Sequence, residues 1–192
     1  TFLRLMEPVH IPYPVQNKLL KTKNIKPSVT YVYLFVGMKG SPSELKLRSS
    51  NMWVHPSGDF AKCEDDYFKD PKSAPMQFFI GFPCAKDSSW ESRYPNKSNA
   101  VILTAAKWDW FKEYNPQRPR HRDQKYKDLK DQFEKRILEE GLFRFYPHLR
   151  DTIEYTEVGT PVSFNHYLNS TKGECYGLNC TKERFIPNNF SD

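Results

Sequence analysis

The sequence predicts an α+β domain built on one mixed, largely antiparallel sheet flanked by helices. Two patterns carry that prediction. Strand-like runs follow one another closely enough in the first half to pair directly, and one apolar stripe at three- and four-residue steps runs through 123–146. A length of 192 residues makes one domain with a sizeable core the natural reading.

Residues 1–28 carry Pro8, Pro12, Pro14 and Pro27 among lysines and read as an extended lead-in, with at most a short helix around Val15 to Lys21. Residues 29–178 make the domain, and 179–192 a tail. Val29 to Val36 is β-branched or aromatic on almost every position, as in a central strand covered on both faces. Gly37 to Pro42 is expected to break it. Asn51 to His55 is a second strand, ended by Pro56-Ser57-Gly58, and Glu64, Asp65 and Asp66 mark a short helix or loop. Met76 to Phe82 is a third strand stopped by Pro83, and Asp87 to Arg93 a capped helical turn. Asn99 to Thr104 is a fourth strand, with a short helix over Ala105 to Tyr114.

Tyr126, Leu129, Phe133 and Ile137 form the stripe of the longest helix, with Asp123 as N-cap and Pro147 or Gly141 as its end. Asp151 to Val158 alternates as a half-exposed strand should. Thr160-Pro161 then supplies an N-cap and a proline at the first helical position.

Composition narrows the function classes. Aromatic residues reach 15% in a chain of mean hydropathy −0.75, so rings must supply much of the burial. No apolar run approaches the roughly 18 residues of a membrane span, and no signal peptide is visible. The chain opens at Thr1 without a methionine, so a processed or excised fragment is expected.

The net charge of +6 is spread over loops, with denser patches at Lys18, Lys21, Lys23 and Lys26 and at Arg118, Arg120, His121 and Arg122. Neither a nucleic-acid-binding module nor a basic helix face accompanies them, so the patches read as solvated loops able to approach an anionic membrane surface.

Individual residues nominate little chemistry. Cys63, Cys84, Cys175 and Cys180 fit no zinc spacing; a 175–180 disulfide is open, with partly buried thiols preferred. The five histidines show no metal spacing, and no nucleophile elbow occurs. Asp65 and Asp66 read as a solvated pair, and Trp108-Asp109-Trp110-Phe111 as core with part of it near an apolar groove. Sequons at Asn96, Asn169, Asn179 and Asn189 hint at a lumenal setting.

Gly159-Thr160-Pro161-Val162-Ser163-Phe164-Asn165-His166-Tyr167-Leu168, followed by Gly173-Glu174-Cys175-Tyr176-Gly177, resembles a signature of retinol saturases and carotenoid isomerases, FAD-dependent oxidoreductases. Further blocks occur in the family's order. They are Lys39-Gly40-Ser41-Pro42-Ser43-Glu44-Leu45, Ser50-Asn51-Met52-Trp53-Val54, the run Phe82 to Pro95, and Trp110-Phe111-Lys112-Glu113. The resemblance covers most of Val29 to Phe185. It implies the substrate domain of amine-oxidase- and phytoene-desaturase-like flavoproteins, and it implies FAD.

It further implies a polyene or retinoid-like lipid as substrate, nucleotide-binding segments on the same polypeptide or a partner chain, peripheral membrane contact, and an endoplasmic reticulum lumen or membrane-surface location. Tyr167, Tyr176, Gly177 and His166 become the expected substrate-binding residues, with Tyr176 and Gly177 also beside the cofactor; no residue is nominated as catalytic and none as a metal ligand. Two departures stand out. Leu178-Asn179-Cys180 replaces a His-Asp stretch, and no Gly-x-Gly-x-x-Gly turn for the pyrophosphate occurs. A non-catalytic derivative, kept as a lipid-binding or structural subunit, is therefore the rival expectation.

Overall fold

In the computed structural model, residues 6–13 and 26–182 are described. They fall into two units, one over 30–174 and the other comprising the described parts of 1–29 and 175–192. The expected helix at Val15 to Lys21, three of the four lysines of the first patch and Asn189 lie outside the described residues.

The larger unit is α+β, as the sequence predicts. Its strands are β1 (Thr30–Lys39), β2 (Met52–Val54), β3 (Phe78–Gly81), β4 (Lys97–Ala106) and β5 (Ile153–Gly159). They form a five-stranded sheet in the order β2-β3-β4-β1-β5, and every pairing is antiparallel. Its helices are α1 (Phe60–Lys69), α2 (Trp90–Arg93), α3 (Gln124–Arg136) and α4 (Pro161–Leu168). Beyond α3 the chain continues through a π-helical turn, Ile137–Leu142, and a last α-turn, Phe143–Phe145.

Alternation along β1 sorts its residues. Val32, Leu34, Val36 and Met38 are buried in one core with Ile80, Ile102 and Val158 of the neighbouring strands. Phe133, Ile137, Leu142 and Phe143 belong to the same core, and the π-turn packs against β3 and β4. The apolar stripe read from the sequence is thus the helix face laid on the sheet.

Four expectations are corrected. β1 is interior to the sheet but covered on one face only: Phe35 is 41% exposed, and Tyr31 and Tyr33 are half-buried. Gly37 does not end the strand, because β1 runs on to Lys39 and absorbs the glycine with a register shift against β5. Residues 105–114 form no single helix; β4 extends to Ala106, and two 3-10 turns follow at Trp108–Trp110 and Lys112–Tyr114. Gly141 lies inside the π-turn, where a Cβ would come 3.4 Å from Phe78, so its role there is close approach to β3.

The caps predicted at Asp123 and Thr160 hold in atomic detail, whereas α2 starts at Ser89 without a side-chain cap, Asp87 Oδ1 accepting instead from Ser89 N. Asp123 Oδ1 accepts from Tyr126 N at 3.0 Å. Thr160 and Ser163 form a reciprocal capping box at the start of α4. Tyr126 Oη and Thr160 Oγ1, 2.8 Å apart and buried, join that cap to α3.

Candidate functional site

Residues opposite one another in an antiparallel sheet point to the same side, so the register identifies what shares the open face of this one. Trp53 faces Phe79, Phe79 faces Leu103, Leu103 faces Tyr33, and Tyr33 faces Gly159, a row crossing all five strands. Trp53 and Phe79 meet edge to face at 5.0 Å, and Tyr33 stacks with Phe35 at 6.1 Å. Gly159 leaves room beside Tyr33 for Phe164 of α4, whose ring lies 4.6 Å from that of Tyr33. Trp53 is 67% exposed and Tyr155 59%. The row is apolar across the sheet, with one ring pair on β2 and β3 and a second ring cluster on β1 and α4 separated by Leu103 of β4, where a half-solvated sheet ordinarily carries polar side chains outward.

At the β5 side the face runs into a cleft of about 490 Å³. Phe35, Phe164, Tyr167 and Leu168 give it apolar walls, and Arg120, Arg122, Lys130 and Glu157 line it as well. Lys130 Nζ donates to Glu157 at 2.9 Å. Arg122 is buried, contrary to the expectation of solvated loops for the whole second basic patch; Arg118, Arg120 and His121 are exposed as expected.

The expected site residues divide between the two units. His166 and Tyr167 occupy the last turn of α4, both exposed, with ring centroids 4.7 Å apart. Tyr167 reaches the cleft. Tyr176 and Gly177 belong to the smaller unit, where Tyr176 N donates to Ser28 Oγ and Gly177 O accepts from Ser28 N. Tyr176 is 69% exposed, and Gly177 sits at φ +69° with open space where a Cβ would be.

The rest of the signature has structural work. Gly173, at φ +70°, would put a Cβ 2.4 Å from the carbonyl oxygen of Pro161. Ser41 N donates to Glu44 Oε2 at 2.8 Å and closes the turn after β1, and this backbone donor holds the pKa of that carboxyl below its ordinary value. Cys84 N donates to Asn99 Oδ1, tying the Phe-Pro-Cys segment to β4. Within the quoted blocks, Tyr167 and Tyr176 are exposed, as are Trp53 and Leu168, and Gly177 faces open space. Trp108 and Trp110 are half-buried against the core, Phe111 is fully buried, and Trp110 lines a separate apolar groove of about 610 Å³ beside α3.

Sequence reasoning missed Phe35, Phe164 and Arg122. The period-two spacing of Tyr31, Tyr33 and Phe35 was the available signal for the first, because it sets rings on one face and aliphatics on the other.

The β5–α4 junction offers no cradle for a dinucleotide. The β5–α4 junction is a strand-to-helix turn of the kind that binds pyrophosphate. Here Pro161 lacks an N–H, Ser163 Oγ takes Thr160 N, and the amides of Ser163 and Phe164 are spent on Thr160 O. This chemistry does not fit the phosphates of FAD.

The fold and site define an α+β domain with one buried and one open, aromatic sheet face. No family model matches the chain. It is similar to an all-trans-retinol 13,14-reductase of Danio rerio, with 34% identity over 157 residues, 79% of this chain and 26% of the relative. The enzyme of the same name from Rattus norvegicus is 30% identical over 167 residues, 85% of this chain and 27% of its own length. A Danio rerio protein named inactive all-trans-retinol 13,14-reductase is 25% identical over 170 residues, 86% of this chain and 28% of its own. The chain therefore spans about a quarter of the length of the curated relatives it matches. It belongs to the retinol-saturase-like family.

Proposed function

We propose that this chain is the substrate-facing part of a retinol-saturase-like oxidoreductase acting on a conjugated double bond of a retinoid, carotenoid or other polyene lipid. The observation that carries the reading is the aromatic row from Trp53 to Tyr33, continued by Phe164, on the open face of the sheet. A flat, polarisable, apolar surface suits a rigid polyene, because stacked rings bury it without ordering flexible side chains. Tyr167 and His166 would bind substrate from α4. Tyr176 and Gly177 are likewise proposed as substrate-binding residues beside the cofactor, with Gly177 admitting a close approach.

FAD, when bound by the whole enzyme, would supply the hydride chemistry. The residues of this chain would orient the lipid and exclude water, and no chemical step is assigned to them. Contact with a membrane surface in the endoplasmic reticulum would deliver such a substrate.

A second reading has its own support. Leu178-Asn179-Cys180 stands where the family carries a His-Asp stretch, and one relative is itself named inactive. On that reading the domain binds lipid or serves as a structural subunit without turnover. The absorption spectrum of the protein purified from its native source separates the two. Flavin bands in proportion to this chain, perturbed by added all-trans-retinol, are expected for the enzyme. A colourless preparation of intact protein overturns it in favour of the second.

A further inference from the structure

We infer that the cleft between α4, β5 and the 117–123 loop holds the anionic end of a single-chain apolar ligand, with Arg122 and Arg120 as the recognising groups. This goes beyond the proposed function, whose test lipid is a neutral alcohol, by naming a class of anionic ligand for the cleft at Tyr167; it shares with that reading the apolar part only.

The argument begins with Arg122, which is 8% exposed. Its Nε donates to Tyr114 O at 3.1 Å, and its guanidinium lies 4.9 Å from the centroid of the Tyr126 ring. No carboxylate pairs with it among the described residues, and its terminal nitrogens make no hydrogen bond there. The guanidinium has no counter-charge, and its terminal nitrogens are not among the buried atoms left without a partner, so they reach solvent in a residue that lines the cleft. An incoming carboxylate would meet a fork of matching geometry.

The charge balance points the same way. Arg120, Arg122 and Lys130 face the cleft against one carboxylate, Glu157, which Lys130 already holds at 2.9 Å. Tyr155 Oη also donates to Glu157, at 3.4 Å. Two cations are left for a ligand.

The loop is preorganised for the task. Gln117 and Asp123 clasp each other at 2.9 and 2.7 Å, and His121 N donates to Arg118 O at 3.0 Å. Arg120 is held at φ +65°, a left-handed conformation that an arginine adopts only where its surroundings impose it. In the same cleft, Phe35, Phe164 and Leu168 provide apolar walls. A volume of about 490 Å³ is that of a site for one drug-sized molecule. A carboxylate-headed polyene or acyl chain satisfies both halves.

The probe is the conjugated tetraene fatty acid parinaric acid, with its methyl ester as the uncharged control, each titrated against this chain by fluorescence. The expected result is that the acid binds at least about 10-fold tighter than the ester, as one charge-assisted fork would give. The preference should shrink with added salt and largely vanish in Arg120→Ala and in Arg122→Lys, which retains a cation but loses the fork. Circular dichroism of Arg120→Ala, a change at an exposed loop residue, guards against misfolding. Equal binding of acid and ester overturns the head-group assignment and leaves the polyene reading intact. Binding of neither overturns the cleft as a ligand site, while the flavin spectrum still decides the proposed function. An acid preference that survives both substitutions places the anion elsewhere and overturns the roles of Arg120 and Arg122.

Discussion

Two glycines of one motif illustrate how residues with the same backbone need can differ in purpose. Gly173 and Gly177 both sit in the left-handed region, but only Gly173 lacks room for a side chain. Gly173→Ala should therefore cost about 2–4 kcal/mol through the clash with Pro161 and the backbone strain. Gly177→Ala should cost only about 1 kcal/mol. Denaturant unfolding of both variants checks the ranking; equal losses would refute it.

Tyr67 offers a second test at this scale. Its hydroxyl is buried, and although Thr104 Oγ1 lies nearby the two do not reach hydrogen-bond geometry. Burial pushes the phenol up to about 12. A raised folded-state value means that its contribution is intact below the unfolded value near 10 and is lost as the pH rises from there through 12. Tyr67→Phe should thus be neutral or slightly stabilising at pH 8, since an unsatisfied buried hydroxyl is removed. It should lose less stability than the parent between pH 10 and 12. Thermal midpoints across that range decide it, and parallel curves would exclude Tyr67 as the group responsible.

At the scale of elements, the hold of α3 on the loop before β3 depends on one side chain. Arg136 donates to the carbonyls of Pro71 and Ala74 at 2.5 and 2.8 Å, and to both oxygens of Glu140 at 2.5 and 2.9 Å. With its side chain 16% exposed, it satisfies part-buried carbonyls that nothing else is shown to reach. Arg136→Ala should cost about 2–3 kcal/mol, or roughly 4–10 °C in thermal midpoint for a chain of this size. Arg136→Lys should recover little, because an ammonium cannot span two carbonyls and a carboxylate. Full recovery with lysine would show that charge alone matters there.

Such interactions mark where the sequence was legible and where it was not. Strand and helix identities followed from local periodicity, and the caps at Asp123 and Thr160 from local chemistry. The extension of β1 through Gly37 did not, because the pairing of Gly37 with Asn99 and Tyr155 is set by partners more than 60 residues away in sequence. The burial of Arg122 was hidden for a different reason: Tyr114 and Tyr126 are near it in sequence, but they close around it only through the turn of the 117–123 loop. Site residues on α4 were legible through the family signature, and the aromatic row was not, because it exists only in the register of five strands.

For the whole molecule, the consequence is an imbalance between the faces of one sheet. One face is filled by α3 and the π-turn; the other presents Trp53, Phe35 and Tyr155 at 67%, 41% and 59% exposure. Rings that are exposed contribute little to folding, but they drive association of any apolar surfaces that meet. Replacing Trp53 and Tyr155 together by glutamine should therefore cost no more than about 1–2 kcal/mol, mainly the edge-to-face contact of Trp53 with Phe79. Leu34→Ala on the opposite face should cost about 2–5 kcal/mol. The isolated parent chain should self-associate in sedimentation velocity, and the double variant should remain monomeric at the same concentration. If the double variant instead unfolded as readily as Leu34→Ala, the face would be a second core and could not serve as the wall of a lipid site. If it stayed folded yet bound a polyene as tightly as the parent, the face would be open but idle, and the ligand would have to lie wholly within the cleft.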